Sequence, residues 1–503
     1  MIGSGIAFRL TALSRRRPDV TAFGLGAASA LALPPIHVLP LLLLTLPGLI
    51  RLIDAAPSGV TAARRGWWFG FGLNMIGLYW ITEAILFEAA RFWWLVPLAV
   101  PALAAVMAVF IALACWACRL APPGGHRLFA LAGAWTLLDL ARQFVASGFP
   151  WNPLGSVWEL PGLAGDVMIQ PAAWVGVHGL TLATVLLAGL PTLGWRARIA
   201  GLAGLLLWTG AGAVRLAGDM PPPPGIDVVV VQGNVPQGQK WDRARMMDIF
   251  RRYLRLTHEA IARVQGPAVV IWPETAAPFA LEIDATAREM IADAADQQTT
   301  LIGGVRFGAD GRPRNSLFAM LAGGMTAAIY DKWHLVPFGE YQPDWASVGI
   351  QLVPGGGFRP GPGPRTLHVP GLPPVGPLIC YEAIFSGQIV DRRDRPTWLV
   401  NVTNDAWFGN STGPRQHLAA ARLRAAEEGL PLIRAANTGI SAIFDARGHE
   451  VARLPLNETG ALTMLLPAAL PPTVYAQYGL WVPFALATLA MATGYAVRRR
   501  APL

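Results

Sequence analysis

Charge is scarce in this sequence. Only 14% of its 503 residues are Asp, Glu, Lys or Arg, against 53% hydrophobic, and the mean hydropathy is +0.41. That balance excludes an ordinary soluble protein and points to a chain largely embedded in a membrane. Lysine is scarcer still: of 40 cationic side chains only two are lysine, Lys240 and Lys332. Arginine is a permanently charged planar fork, whereas lysine is a compact point charge that burial can tune, so these two positions mark places to look. Cysteine is nearly absent too, and three residues exclude a disulfide framework. Cys115 and Cys118 end an apolar run beside Arg119, with no second pair and no histidine cluster to support a metal or redox motif; lipid-facing filler is the expectation. Cys380 is left without a partner.

The net charge of +9 does not imply nucleic acid, because the basic residues sit in short clusters at the ends of apolar runs. Candidate membrane spans fall at 20–35, 38–53, 66–88, 93–117, 128–146, 168–190, 196–216 and 475–496, each near the ~20 residues that cross hydrocarbon. The first is broken by Pro34, and the fifth carries Asp139 and Arg142. The opening apolar run has the look of a signal peptide, yet a second run follows Pro34-Pro35 at once, which favours an uncleaved helical hairpin. If the spans alternate, the arginines at 15–17, 51, 64, 65, 119, 127, 196, 198 and 498–500 share one side, and that side is cytoplasmic. Both termini then lie in the cytoplasm and the segment between the last two spans lies outside it. The expected organisation is a membrane domain over 1–220, a catalytic domain over 221–468, and a last helix with a basic cytoplasmic tail over 469–503.

The middle segment follows a Pro221–Pro224 linker and alternates short β-rich runs with charged, helical ones. Strands are expected at 226–232, 268–272, 300–307, 316–322, 325–332, 375–380, 398–402, 432–435, 441–445 and 462–466. Helices are expected at 243–265, 285–295 and 417–428, with another starting near Ser386. This alternation indicates an α/β layered domain. Four motifs stand at strand ends: Trp-Pro-Glu with Glu274, the 330–341 stretch with Lys332 and Glu340, the Cys380-Tyr381-Glu382 corner, and Asn-Val-Thr-Asn-Asp-Ala-Trp-Phe-Gly over 401–409. Each has a plain structural reading as a cap, a solvated strand end or a surface charge. Together an acid, an amine and a thiol form a catalytic set: the carboxylate takes the thiol proton, and the ammonium stabilises an oxyanion.

Glu, Lys and Cys in this order and in these contexts resemble the nitrilase superfamily. With the apolar spans, the opening Val-Gln-Gly-Asn-Val-Pro-Gln over 231–237, Trp241, and Gly-Phe-Pro-Trp-Asn-Pro-Leu-Gly over 148–155, the whole chain resembles the apolipoprotein N-acyltransferase family. The resemblance implies a polytopic helical membrane domain of about eight spans joined to an extracytoplasmic α-β-β-α sandwich. It also implies residence in the bacterial inner membrane and a ping-pong acyl transfer. By carry-over Glu274 is the general base, Lys332 the oxyanion stabiliser and Cys380 the nucleophile, with Trp241, Glu340, Tyr381 and Glu382 in support. The implied partners are a phospholipid donor, typically phosphatidylethanolamine, and the α-amino group of diacylglyceryl-cysteine on an apolipoprotein. No cofactor or metal is expected, and nothing requires more than a monomer.

The stretch 333–364 is apolar and aromatic but broken by Pro and Gly, which suits either a packed core loop or an arm dipping into the bilayer interface. The competing reading is a membrane-tethered amidase using the same triad on a soluble amide; a single anchor would then suffice in place of many spans. A transporter would need ionisable pairs within its spans, and the sequence offers only Glu83, Asp139 and an isolated His178.

Overall fold

The computed structural model describes residues 16–87, 92–240, 242–343 and 357–496. The chain divides into two compact units, residues 1–217 with 478–503 and residues 218–477.

The first unit is helical. Three of its described helices, Trp93–Arg119, Ala172–Thr192 and Trp195–Ala217, are long and apolar enough to cross a membrane; Trp481–Tyr495 is apolar but shorter. The helices Pro18–Ser29 and Gly59–Gly77 meet through glycines, for a Cβ on Gly26 would fall 1.9 Å from the Phe69 carbonyl oxygen and one on Gly72 2.2 Å from that of Phe23. Small residues let backbones approach this way where water exclusion gives no drive between helices. Pro18–Ser29 and Leu42–Asp54 are joined across Ser29 and Thr45, whose hydroxyls are 2.8 Å apart, as an opening hairpin requires.

Two expectations are corrected here. Cys115 and Cys118 do not face lipid: both are fully buried, Cys115 against Gly66 of the neighbouring helix, because two small thiols fill a close helix contact. The polar residues of the fifth candidate span are also partnered. Asp139 pairs with Arg142 at 2.9 Å and accepts from Thr181, whose hydroxyl receives the Gly155 N–H at 2.9 Å. His178 stands 3.0 Å from the Gln143 amide. The 148–155 motif is therefore tied to buried polar groups, as it must be where no water can satisfy them.

The second unit is a four-layer sandwich. Its first sheet has the order β11-β1-β2-β3-β4-β5 and its second β10-β9-β8-β7-β6. In the first, β1 (Asp227–Gln232), β2 (Ala268–Trp272) and β3 (Thr299–Phe307) run parallel. β4 (Pro313–Met320), β5 (Thr326–Asp331) and β11 (Gly460–Leu465) are antiparallel to their neighbours. The second repeats the plan, with β6 (Val375–Ile379), β7 (Trp398–Thr403) and β8 (Leu432–Ala436) parallel and β9 (Ser441–Phe444) and β10 (Glu450–Leu454) antiparallel.

Alternation along β1 explains the layering. Val228 and Val230 enter the core shared with Val400, Val402 and Ile433 of the other sheet, while Val229 and Val231 pack beneath α1 (Met246–Ile261) and α2 (Ala285–Ala294). The far face of the second sheet packs on α3 (Gly413–Glu428).

The strands fall close to their expected ranges. β10 was not among them, because its half-exposed Glu-Val-Ala-Arg-Leu shows only Ala452 and Leu454 on its inner face and carries charge on both faces. No helix starts near Ser386. A single 3₁₀ turn spans Cys380–Ile384, Gly387 takes φ +73°, and the Ser386 hydroxyl is engaged by Glu427 and Tyr475 instead of capping a helix.

Candidate active site

Three strand ends carry the reactive groups. β2 ends at Trp272, and Pro273 turns Glu274 inward. Gly303 on adjacent β3 permits that turn, since a Cβ there would lie 2.1 Å from the Pro273 carbonyl oxygen. β5 ends at Asp331, held by Arg306 at 2.6 Å, and Lys332 follows, its N–H donating to the Asn315 carbonyl at 2.8 Å. β6 ends at Ile379, and Cys380 follows with φ +51°, a left-handed corner uncommon for a residue with a side chain.

Glu274 and Lys332 are buried, Glu340 is partly so, and the three are linked. Lys332 Nζ lies 3.1 Å from Glu274 Oε1 and 2.9 Å from Glu340. Asn315 Nδ2 bridges the same two carboxylates, at 2.7 Å to Glu274 and 3.0 Å to Glu340. The Val336 N–H donates to the other oxygen of Glu340 at 2.8 Å, so Glu340 also fixes the start of the loop after Lys332.

Burial works against the charge of Glu274, but Lys332, Lys240 and the Asn315 amide outweigh it and hold the carboxyl below its usual range. Burial likewise opposes the Lys332 ammonium, and the two carboxylates outweigh it, so Lys332 stays protonated. The Cys380 thiol is lifted to about 12 by burial and by the negative charge of Glu274, while Lys332 and a hydrogen bond with Thr403 pull it down. The resting site thus holds a neutral thiol facing an ionised acid, the state from which a base can act.

Glu382 serves the frame. One oxygen accepts the Trp333 N–H at 2.7 Å, the other the Ile379 N–H at 2.6 Å, and the Tyr330 hydroxyl is 3.1 Å from both. It therefore ties the end of β5 to the end of β6 and fixes Lys332 relative to Cys380. Burial lifts its carboxyl to about 7 despite these donors. Tyr381 is buried with its ring edge-on to Phe385 at 5.2 Å, and His334 stacks on the same ring at 3.7 Å. Trp241 lies outside the described residues, as do 344–356 of the apolar stretch; the described flanks of that stretch are pinned by Phe358 N–H to Glu340 O and Gly361 N–H to Lys332 O, both 2.8 Å.

A second charged group lies on the other side of Cys380. Asp405, His417 and Arg434 are fully buried, with Arg434 at 2.7 Å and His417 Nδ1 at 2.9 Å from the Asp405 carboxylate. His417 Nε2 donates to the main-chain oxygen of Cys380 at 3.0 Å, and Arg434 also donates to Asn401. The 401–409 motif thus supplies a backbone clamp.

Lys240 was marked by the rarity of lysine, though without a role; two further site residues, Asn315 and Thr403, escaped sequence reasoning. Asn315 is a polar residue on a buried strand and Thr403 an ordinary β-branched one, and neither stands out by type.

A carbon-nitrogen hydrolase family model matches residues 228–476, and the model of the apolipoprotein N-acyltransferase N-terminal domain matches 25–190. A protein of Bradyrhizobium diazoefficiens named apolipoprotein N-acyltransferase is 40% identical, with 94% of each chain covered. One of Rhodopseudomonas palustris with the same name is 38% identical, with 90% of each covered. Among solved structures, a carbon-nitrogen hydrolase from Helicobacter pylori aligns with 47% of this chain and 87% of its own, at 17% identity and a TM-score of 0.37.

Proposed function

The chain belongs to the apolipoprotein N-acyltransferase family, and from that premise we propose how the Cys380 site carries out the transfer. The protein is a bacterial membrane acyltransferase whose acceptor is a lipoprotein and whose donor is a lipid. In the proposed first half-reaction, Glu274 takes the Cys380 proton as the sulfur attacks the ester carbonyl of a phospholipid. The C–S bond forms, Lys332 faces the oxyanion, and the ester C–O bond breaks. The proton on Glu274 passes to the departing oxygen, giving a lysophospholipid and an acyl-thioester. In the second, the α-amine of diacylglyceryl-cysteine attacks the thioester; the C–N bond forms, the C–S bond breaks, and the amine proton returns through Glu274 to the sulfur. Phosphatidylethanolamine is the donor this reading favours.

The observation that carries the reading is the meeting of an ionised acid, a protonated amine and a neutral thiol at the ends of β2, β5 and β6. In the same reading about eight spans anchor the chain, both basic termini lie in the cytoplasm, the catalytic unit lies outside it, and the protein acts as a monomer.

Incubation with phosphatidylethanolamine micelles, without acceptor, tests the chemistry by intact-protein mass spectrometry. An acyl adduct on Cys380 is expected, with its loss in Cys380→Ser and Glu274→Gln. Full turnover by Cys380→Ser would overturn the mechanism, and steady release of free fatty acid without an amine acceptor would indicate a hydrolase.

A further inference from the structure

Lys240 and Lys332 are the two lysines of the chain, and both reach Glu274. Lys332 meets its carboxylate; Lys240, on the loop between β1 and α1, donates from Nζ to its main-chain oxygen at 2.8 Å. The ammonium of Lys240 is buried, which is costly for a charge unless something nearby needs it. Its loop is pinned independently: the Asn404 amide donates to Gln237 at 2.7 Å, and the Asn437 amide to the Val235 carbonyl at 2.7 Å. The loop therefore does not depend on Lys240 to hold its course.

Charge balance indicates what the ammonium is for. Glu274 and Glu340 bring two negative charges to one buried cluster, and Lys332 neutralises one of them. Lys240 supplies the other positive charge. The titratable groups that act on it are Glu274 and Cys380, both of which favour its protonated form.

We propose that Lys240 is a positioning residue of the acyl-transfer site, which holds the turn bearing Glu274 and provides the second positive charge against which sulfur becomes anionic. The inference rests on the Glu274–Lys332–Cys380 mechanism proposed above. Burial draws the Lys240 ammonium down to about 8, within reach of an ordinary assay. Thioester formation should therefore fall on the alkaline side as Lys240 loses its proton, while Lys332, held far higher by two carboxylates, stays charged.

The test is the single-turnover rate of thioester formation from phosphatidylethanolamine micelles, followed by intact mass between pH 6 and 10 (~ values spanning the lysine range), in wild type, Lys240→Gln and Lys240→Met. Glutamine keeps a donor for the Glu274 carbonyl and removes the charge; methionine removes both. The expected result is a decline above pH ~8 in the wild type, a neutral-pH rate reduced ~10- to 100-fold in both variants, and loss of the alkaline decline in both. Thermal unfolding in detergent identifies folded variants. Wild-type rates in folded Lys240→Gln, or a loss that leaves the alkaline decline in place, would overturn the inference. Glu274→Gln runs alongside: if it still forms the thioester, the mechanism itself fails, whereas its loss with an unaltered Lys240→Gln sinks only the role of Lys240.

Discussion

The two charged groups on either side of Cys380 are built from similar parts and do different work. In front, Glu274 and Lys332 act on the sulfur through their charges, and Glu340 holds Lys332. Behind, Asp405 adds a weaker negative charge at the sulfur, but the hydrogen bond that the Asp405–His417–Arg434 group makes to Cys380 itself ends on the main-chain oxygen. A cysteine, a histidine and an aspartate thus stand in line without forming a Cys-His-Asp catalytic triad, because the ring nitrogen that would take the thiol proton faces a carbonyl oxygen. Residue type alone does not separate a reactive group from a clamp. What separates them is where the last hydrogen bond ends.

The largest effects should divide along that line. Lys332→Met should reduce transfer by ~10³-fold or more, since it removes the proposed oxyanion partner and leaves two carboxylates facing each other. Arg434→Met should instead act on the fold. Asp405, held down to about 2 chiefly by Arg434 and His417 against the effect of burial, would lose its main cation. Breaking such a buried pair costs ~3–5 kcal/mol. Thioester formation per folded molecule and the thermal unfolding midpoint, measured on both variants, check the division. If Arg434→Met were fully folded and inactive, the rear group would belong to the chemistry and the comparison would collapse.

Gly303→Ala sharpens the front side. Its new Cβ would press on the Pro273 carbonyl oxygen, and the backbone carrying Glu274 would have to move. A displacement of the proposed general base by a fraction of an ångström should lower the thioester-forming rate ~10- to 100-fold while micelle binding of the donor is retained. Wild-type kinetics in this variant would show that the position of Glu274 is not critical.

The front group was far more legible in the sequence than the rear one. Glu274, Lys332 and Cys380 follow strands whose apolar runs are easily read, and a charged residue just beyond a buried strand draws attention. The helix Gly413–Glu428 was recognisable too, but His417 lies on it among alanines and arginines, and no local pattern says that its ring turns toward the carbonyl of a residue 37 positions earlier. Asn315 was hidden for the same reason: its role exists only when β4 lies between β3 and β5. Contacts made across strands distant in sequence are set by register, and a single chain read residue by residue does not print its register. The membrane unit shows the converse. Its apolar runs were plain, while Thr181, which donates to Asp139, and Gln143, which meets His178, are brought there from segments distant in sequence.

The smallest expected effect concerns a buried acid that lacks what Asp405 has. Glu428 ends α3, the helix that carries His417, and neither of its carboxyl oxygens accepts a hydrogen bond among the described residues. Burial, and then the negative charge of Glu427, push its carboxyl up to about 7 from an ordinary 4.5. A carboxyl whose folded value is raised weighs against folding once the unfolded chain ionises. The penalty is therefore absent below pH ~4.5, grows as pH rises, and levels off above pH ~7. Glu428→Gln should remove it, stabilising the protein by ~2 kcal/mol at pH 8 and hardly at all near pH 4. Asp405 has the opposite sign: its depressed value contributes stability at neutral pH that is lost as pH falls toward about 2. Thermal unfolding of wild type and Glu428→Gln across that pH range is the check. A gain of equal size at both ends would mean that the substitution acts through packing and not through the charge of an unpaired acid.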